Sequence, residues 1–593
     1  MLGKLIKHLL RDVRAQPSPR DTLAPRDTDR LKTALALEKD GRPAEAQRTY
    51  HELLLDYPDH VDLLHLLGNV LKIQKDYAGA IEHLQRAAAL AEGSAELHCH
   101  LADAFAANGE WGRAVDRYKR ALEVNPKFAP ARLYLGHALR RLGELKPAAA
   151  AYRRALELLP GHADVHIALA AVLRDLGLCD EALAACTRAL EIDPDLADAH
   201  VNLGHTLREL GRSAPSIAAY RRAAALCPEI PEVHLHLGNA LFVDGYSPEE
   251  AECELMRALE LRPEFNEARF NLALIRLARG DYPRGWPDYE LRLHSPEWPR
   301  RAQEFPPWTG GALAGQKLLV YAEQGLGDEI MFASCIPELA GAGAQCVIEC
   351  SAKLEPLFRR SFPFAHVFAV RPGRSVPPGA ETSNIQLQSP IGSLPLHLRR
   401  TRADFPIHHG YLKADPQLSA QWQARLAALG PGLKVGIAWQ GGTQKSRRLI
   451  RSLPLAQWLP ILKTPDAHFV DLQYSDGSAE IAALESASGV RVHSFDEIRA
   501  DYEQAASLVA SLDLVISVCT AVIHLGGALG RPVWVMVPYG CEWRYGIAGE
   551  EMPWYPSVRL IRQSAFGAWD DVVAKVAGRL QEAARTHAPS ESD

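Results

Sequence analysis

The chain has 593 residues, 47% of them hydrophobic and 23% charged, a balance that excludes low-complexity and fibrous classes and predicts a soluble protein of two to four domains. A net charge of -6 gives no support to a nucleic-acid partner, and no apolar run reaches the roughly 18 residues of a membrane span. The ten cysteines form no CxxC pair and no even framework, which fits a reducing compartment and predicts a cytoplasmic location.

Residues 1–26 form a basic N-terminal segment. Leu2, Leu5, Ile6, Leu9, Leu10 and Val13 recur at helical spacing, with Lys4, Lys7, His8, Arg11 and Arg14 on the other face. A continuous apolar core and a small-residue cleavage site are both missing, so this is not a secretory signal. Two readings stand: a terminal helix docked on protein, or residues 1–16 lying peripherally on the inner membrane surface.

From Asp27 to Pro299 the chain repeats every 34 residues. Ala46, Ala80, Ala114, Ala148 and Ala182 share one register, and Ala87, Ala121, Ala155, Ala189 and Ala223 a second. Pro126, Pro160, Pro194 and Pro228 form a third, while Tyr50, Tyr118, Tyr152 and Tyr220 and Gly68, Gly136, Gly204 and Gly238 fill further slots. Small residues suit the close crossing of two helices, and Pro ends the second helix. Eight units are expected, beginning near residues 27, 61, 95, 129, 163, 197, 231 and 266, with one extra residue near Tyr246 to Ser247. The pattern resembles tetratricopeptide repeats, which implies stacked helix pairs in a superhelix with a concave groove.

One slot of the first helix carries Lys72, Arg140, Arg174 and Arg208. It reads either as a basic ladder gripping an extended polypeptide in the groove or as a solvated helix face. Asn202 and Asn271 occupy the slot where related protein glycosyltransferases carry an asparagine ladder that holds peptide backbone, and the other repeats lack Asn there. His98, His166, His200 and His234 also recur in register; each is in a separate repeat, so a packing role is expected rather than a metal site. Asp62, Glu96, Asp164, Asp198, Glu232 and Glu267 near helix starts complement the helix dipole.

A linker rich in Pro, Trp and Gly, residues 300–316, ends the helical period. Short apolar runs then alternate with helical stretches. Lys317 to Glu323, Gln345 to Cys350, His366 to Val370, Lys434 to Gln440, His468 to Gln473, Val490 to Phe495, Asp513 to Val518 and Pro532 to Val537 read as strands, implying one or two parallel sheets. Gly430, Pro431 and Gly432 follow a helix and mark a junction, giving halves 317–415 and 416–593. The stretch Ser511 to Pro538 reads as two parallel strands joined by a helix, with Thr520 and His524 beyond the first strand's carboxyl end, where ligands collect.

Four segments carry a resemblance, in this order: YAEQGLGDEIMFASCIPEL from Tyr321, GIAWQGGTQKSRRLIRSLPLAQW from Gly436, TAVIHLGGALGRPVWVMVP from Thr520 and EWRYGIAGEEMPWYPSVRLIRQ from Glu542. They resemble the motifs of glycosyltransferase family 9, the heptosyltransferase-like enzymes, in bacterial proteins that place tetratricopeptide repeats before such a domain. The resemblance implies a glycosyltransferase B-type α/β domain of two halves, 317–415 on the acceptor side and 416–593 on the nucleotide-sugar side. It implies a nucleotide-sugar substrate, no cofactor and no metal; no D-x-D motif lies in this region. A protein acceptor recruited by the repeats, an envelope-glycan acceptor and a non-catalytic assembly scaffold are the three functions it leaves open.

Sugar transfer requires a base for the acceptor hydroxyl and cations or N–H groups for the diphosphate. Gly325 and Gly327 allow close backbone approach. Asp328 matches the aspartate of the family's GxGD motif, for which the resemblance implies the role of general base; Glu323 is the reserve, and Asp328 also suits an N-cap. Arg451 aligns with the family's phosphate-binding basic residue, in a loop that also carries Lys445, Arg447 and Arg448, and Thr520 and His524 with its residues around the diphosphate. Trp439 and Gln440 border the nucleotide or belong to the core. Where the family has an acid before that Thr, this chain has Cys519, a poor acceptor for sugar hydroxyls. Glu542 is the candidate to replace that contact.

Overall fold

The computed structural model describes residues 23–244, 247–294, 304–370, 376, 379, 381–442, 448–540 and 542–587. The basic helix expected at residues 1–16 lies outside them, as do Lys445 and Arg447. The chain divides into two compact units, Met1–Leu226 and Cys227–Asp593.

The first unit is a series of antiparallel helix pairs: Pro25–Lys39 with Pro43–Asp56, Val61–Ile73 with Tyr77–Leu90, Ala95–Ala107 with Trp111–Val124, Ala129–Arg141 with Leu145–Leu158, Ala163–Asp175 with Cys179–Ile192, and Ala197–Glu209 with Ser213–Leu226. The registers read from the sequence are packing positions. Ala46, Ala80, Ala114, Ala148 and Ala182 are each 0% exposed. A Cβ on Gly136 would stand 2.5 Å from the Tyr152 ring and one on Gly204 2.6 Å from the Tyr220 ring, so only glycine lets these helices cross.

The turn inside each pair needs a left-handed residue. Gly109, Gly143, Gly177 and Gly211 take φ of 70° to 82° there, and the equivalent slot one repeat earlier holds Lys75 at φ 67°. The recurring histidines fasten four of the inter-pair turns to the following helix. Ring nitrogens of His98, His166 and His200 lie 3.0, 3.3 and 2.9 Å from the carbonyl oxygens of Glu92, Pro160 and Pro194, and His234 of the second unit lies 3.0 Å from that of Pro228.

The second unit begins with two further helix pairs, Pro231–Val243 with Pro248–Leu261 and Asn266–Ala278 with Tyr282–Tyr289, and continues into an α/β region. Strands β1 (Lys317–Tyr321), β2 (Gln345–Cys350), β3 (His366–Ala369) and β4 (Leu387–Pro390) form a parallel sheet in the order β3-β2-β1-β4. Strands β5 (Leu433–Ala438), β6 (Ala467–Asp471), β7 (Val492–His493), β8 (Leu514–Val518), β9 (Val533–Val537), β10 (Glu551–Met552) and β11 (Tyr555–Arg562) form the second, in the order β10-β11-β9-β8-β5-β6-β7. Among the described residues only the pair β10/β11 is antiparallel in this sheet. As expected, β8 and β9 are parallel neighbours joined by the helix Ala521–Ala528; both strands are largely buried apolar runs, and Thr520, still extended at φ -135° and ψ 170°, stands at the N-cap of that helix.

Three strands escaped the sequence reading, and one run shrank. β4 is Leu-Gln-Ser-Pro, with no β-branched residue, and β10 spans two residues. β11 begins Tyr-Pro and carries two arginines, yet pairs with β9 over five residues. Val490 to Phe495 contributes only Val492–His493 at the sheet edge.

The last helix pair is welded to the α/β region. Trp286 donates its indole N–H to the Arg399 carbonyl at 2.7 Å and stacks edge-on against Trp543 and Trp554. Arg292, 4% exposed, reaches Glu323 Oε1 at 2.6 Å and Ser393 Oγ at 2.9 Å. Breaking such a buried pair on one side costs about 3–5 kcal/mol.

Candidate functional site

Four loops that leave carboxyl ends of strands meet in the second unit. The loop after β1 carries Gly325, Gly327 and Asp328, that after β5 Arg451, that after β8 Cys519 and Thr520, and that after β9 Glu542 and Arg544. Asp328 lies in the first turn of the helix Leu326–Phe332. Its Oδ1 is 2.9 Å from Arg544 Nη2, an ion pair without the alignment of a hydrogen bond. Arg451 Nη1 lies 2.5 Å from Glu542 Oε1, and Arg544 Nε lies 3.4 Å from Glu542 Oε2. The second guanidinium nitrogen of Arg451 donates to the Cys519 carbonyl at 2.8 Å. Two guanidiniums and two carboxylates thus alternate across the two sheets.

Burial raises the pKa of Asp328, with Arg544 opposing and Glu542 reinforcing the shift. Burial also pushes Glu542 up, but Arg544 and Arg451 outweigh it and hold that carboxyl below its usual range. His524 is held neutral by burial and by the same two arginines, its pKa well below the ordinary value. Its Nδ1 is 3.1 Å from the Tyr555 hydroxyl. A Cβ on Gly327 would come within 3.1 Å of the His524 ring, so this glycine lets the β1 loop approach the helix Ala521–Ala528. Thr520 caps that helix as a buried residue whose hydroxyl is 2.9 Å from Ser517 Oγ.

Other expected residues stand elsewhere. Trp439 is 0% exposed and donates to Glu480 Oε2 at 2.8 Å, which makes it a core side chain. The Gln440 side-chain amide also binds Glu480, at the edge of a cavity of about 710 Å³ beside Ser452, Leu455 and Leu459. Arg448 opens the short helix Arg448–Arg451, and its side chain is outside the described residues. Glu323 is fully engaged by Arg292 and by the Gly392 N–H at 3.1 Å, so it braces the fold behind the loop.

In the first unit a groove cavity of about 460 Å³ is lined by Tyr134, His137, Arg140, Arg174, Asn202 and His205. Cations of the expected ladder are paired across repeats: Lys72 Nζ, outside this cavity, with Asp103 at 3.7 Å, and Arg140 Nη2, in its lining, with Asp175 at 3.1 Å. Arg174 donates to Asn202 Oδ1 at 3.4 Å, and the Asn202 amide donates to the Asp198 carbonyl at 2.9 Å. Arg208 is half-buried on Ala197–Glu209 in this unit; Asn271 is half-buried on Asn266–Ala278 in the second.

The sequence reading missed Arg544, Tyr289 and Arg292. Arg544 stood inside the fourth quoted motif, two residues after Glu542, in what is now a 3-10 turn Trp543–Tyr545. Tyr289 and Arg292 sat at the end of the repeats, where their partners Gln324 and Glu323 are distant in sequence.

Comparison with known families places tetratricopeptide repeat models on residues 31–95, 99–163 and 162–229. The N-terminal part of the chain is a tetratricopeptide repeat array. Protein FlbA of Caulobacter vibrioides is 34% identical over 348 residues, which are 56% of this chain and 58% of the relative. The chain thus spans somewhat over half the length of that curated relative. Among solved structures, MamA is 28% identical with a TM-score of 0.27, covering 28% of this chain and 96% of its own. A tetratricopeptide repeat protein from Parabacteroides merdae is 15% identical with a TM-score of 0.37, covering 42% of this chain and 98% of its own. Among the described residues no helix is long and apolar enough to cross a membrane.

Proposed function

We propose that the chain is a metal-independent glycosyltransferase that moves a sugar from a nucleotide-sugar to a protein held by the tetratricopeptide repeats. The observation that carries this reading is the convergence of Asp328, Arg451, Thr520 and Arg544 beyond the carboxyl ends of parallel strands from two sheets, the place where such folds bind ligands. In the proposed reaction the acceptor hydroxyl oxygen attacks the anomeric carbon and gives its proton to Asp328. The bond from that carbon to the phosphate oxygen breaks, and the diphosphate leaves with the electron pair. Arg451 and Arg544, with the N-terminal N–H groups behind Thr520, balance its charge. The raised pKa of Asp328 suits a base working near neutrality.

The mutual pairing of the four charged groups favours a second reading, a scaffold whose former site now serves stability. A thermal-shift screen of UDP-, GDP-, ADP- and CMP-sugars separates the two. Stabilisation by one nucleotide that Arg451→Ala abolishes, with transfer lost in Asp328→Asn, supports the enzyme. Silence across the panel with folded protein supports the scaffold.

A further inference from the structure

We propose that His65, Glu96 and His100 form a binding site for a divalent transition metal of the zinc class in the wall of the repeat groove. His65 lies on Val61–Ile73, while Glu96 and His100 are four residues apart on the neighbouring helix Ala95–Ala107, so the last two project from one face. One ligand atom from each of the three falls within 4.8 Å of the others. His65 Nε2 faces His100 Nδ1 directly. Two imidazoles and one carboxylate with an open fourth position are a donor set suited to zinc.

The repeat period places this trio on the groove. Stepping by 34 residues, His65 corresponds to Leu133, Ile167 and Val201, Glu96 to Pro130, Asp164 and Asp198, and His100 to Tyr134, Ala168 and Asn202. All nine of these residues line the groove cavity, two to four repeats further along for His65 and one to three for Glu96 and His100. The trio differs from that wall in its two histidines, which stand where the cavity carries Leu133, Ile167 and Val201 and Tyr134, Ala168 and Asn202; the carboxylate slot recurs as Asp164 and Asp198.

Geometry carries the site: the three side chains are each half-buried, two of them from one helix and the third from its neighbour in the preceding repeat. The charge of Lys72 is turned toward Asp103, 3.7 Å away. A metal here joins two successive repeats.

The test is a cobalt(II) titration of the tag-free full chain, followed by visible absorption, and thermal melting with and without zinc sulfate. The proposal expects one bound cobalt with d–d bands, no thiolate charge-transfer band, and a melting temperature raised by zinc. His100→Gln and Glu96→Gln should each weaken binding by about tenfold or more and remove the zinc-induced rise, while His137→Gln keeps both. Should His100→Gln not fold, the isosteric Glu96→Gln gives the same reading. Absence of cobalt binding, a thiolate band, or affinity unchanged in a folded Glu96→Gln variant overturns the site.

Discussion

Arg544 holds a guanidinium nitrogen 2.9 Å from a carboxylate oxygen of Asp328, joining the loop after β9 to the loop after β1. The arginine keeps the pKa of this buried acid from rising as far as desolvation alone would take it. Arg544→Gln removes that opposition. Because the proposed base acts only when ionised, the acidic limb of the pH profile of kcat/KM should move upward by about one unit or more. A limb that stays in place in the variant removes Asp328 from the role of base.

Glu542 occupies the space between two guanidiniums that a diphosphate is proposed to use. Neutralising it in Glu542→Gln removes the carboxylate that both arginines share, while Arg544 keeps Asp328. Titration calorimetry should then show nucleoside diphosphates binding several-fold more tightly. Weaker binding would instead mark Glu542 as a direct contact to the ligand.

Repeat geometry sets two opposite stability changes. Lys75 sits at φ 67° where its counterparts are glycines, so Lys75→Gly should stabilise the chain by about 0.5–1 kcal/mol, the left-handed cost exceeding the entropy gained by the unfolded chain. Gly136→Ala drives a methyl to 2.5 Å from the Tyr152 ring and should cost about 1–3 kcal/mol. Shifts of the urea midpoint in opposite directions are the readout.

His65, with a pKa lowered to about 4, makes the first unit sensitive to acid. The folded ring resists a proton that the unfolded ring accepts below about 6.5, so stability is full above that pH and declines until about pH 4. His100, shifted the same way, steepens the decline. In His65→Gln the fall in melting temperature between pH 7 and pH 5 should be visibly shallower.

The repeats were legible because each slot recurs with its physical reason: Ala148 and Ala182 at crossings, Gly136 opposite a tyrosine, Pro160 after a helix end. The strands β1, β2, β5, β8 and β9 were legible because buried parallel strands are continuous apolar runs. β4 was not, since an edge strand needs no such run, and β11, which lies inside its sheet between β9 and the two-residue β10, was not, because Pro556 and Arg559 interrupt its apolar run. At the candidate site the loops could be read as neighbours of strand ends, which brought Asp328, Arg451, Thr520 and Glu542 forward. What a linear reading does not give is pairing: that Arg544 faces Asp328, that Glu323 belongs to Arg292, or that Trp439 is enclosed. These are set by packing between segments far apart in the chain.

The seam around Trp286 and Arg292 bears on where this chain can be cut. A fragment starting after residue 299 would lose the cation that satisfies Glu323 and bare the aromatic faces of Trp543 and Trp554. One starting at Cys227 keeps both. The smallest heritable piece is thus neither a set of repeats nor a pair of sheets. It is the sheets with their own two hairpins, which together form one compact unit.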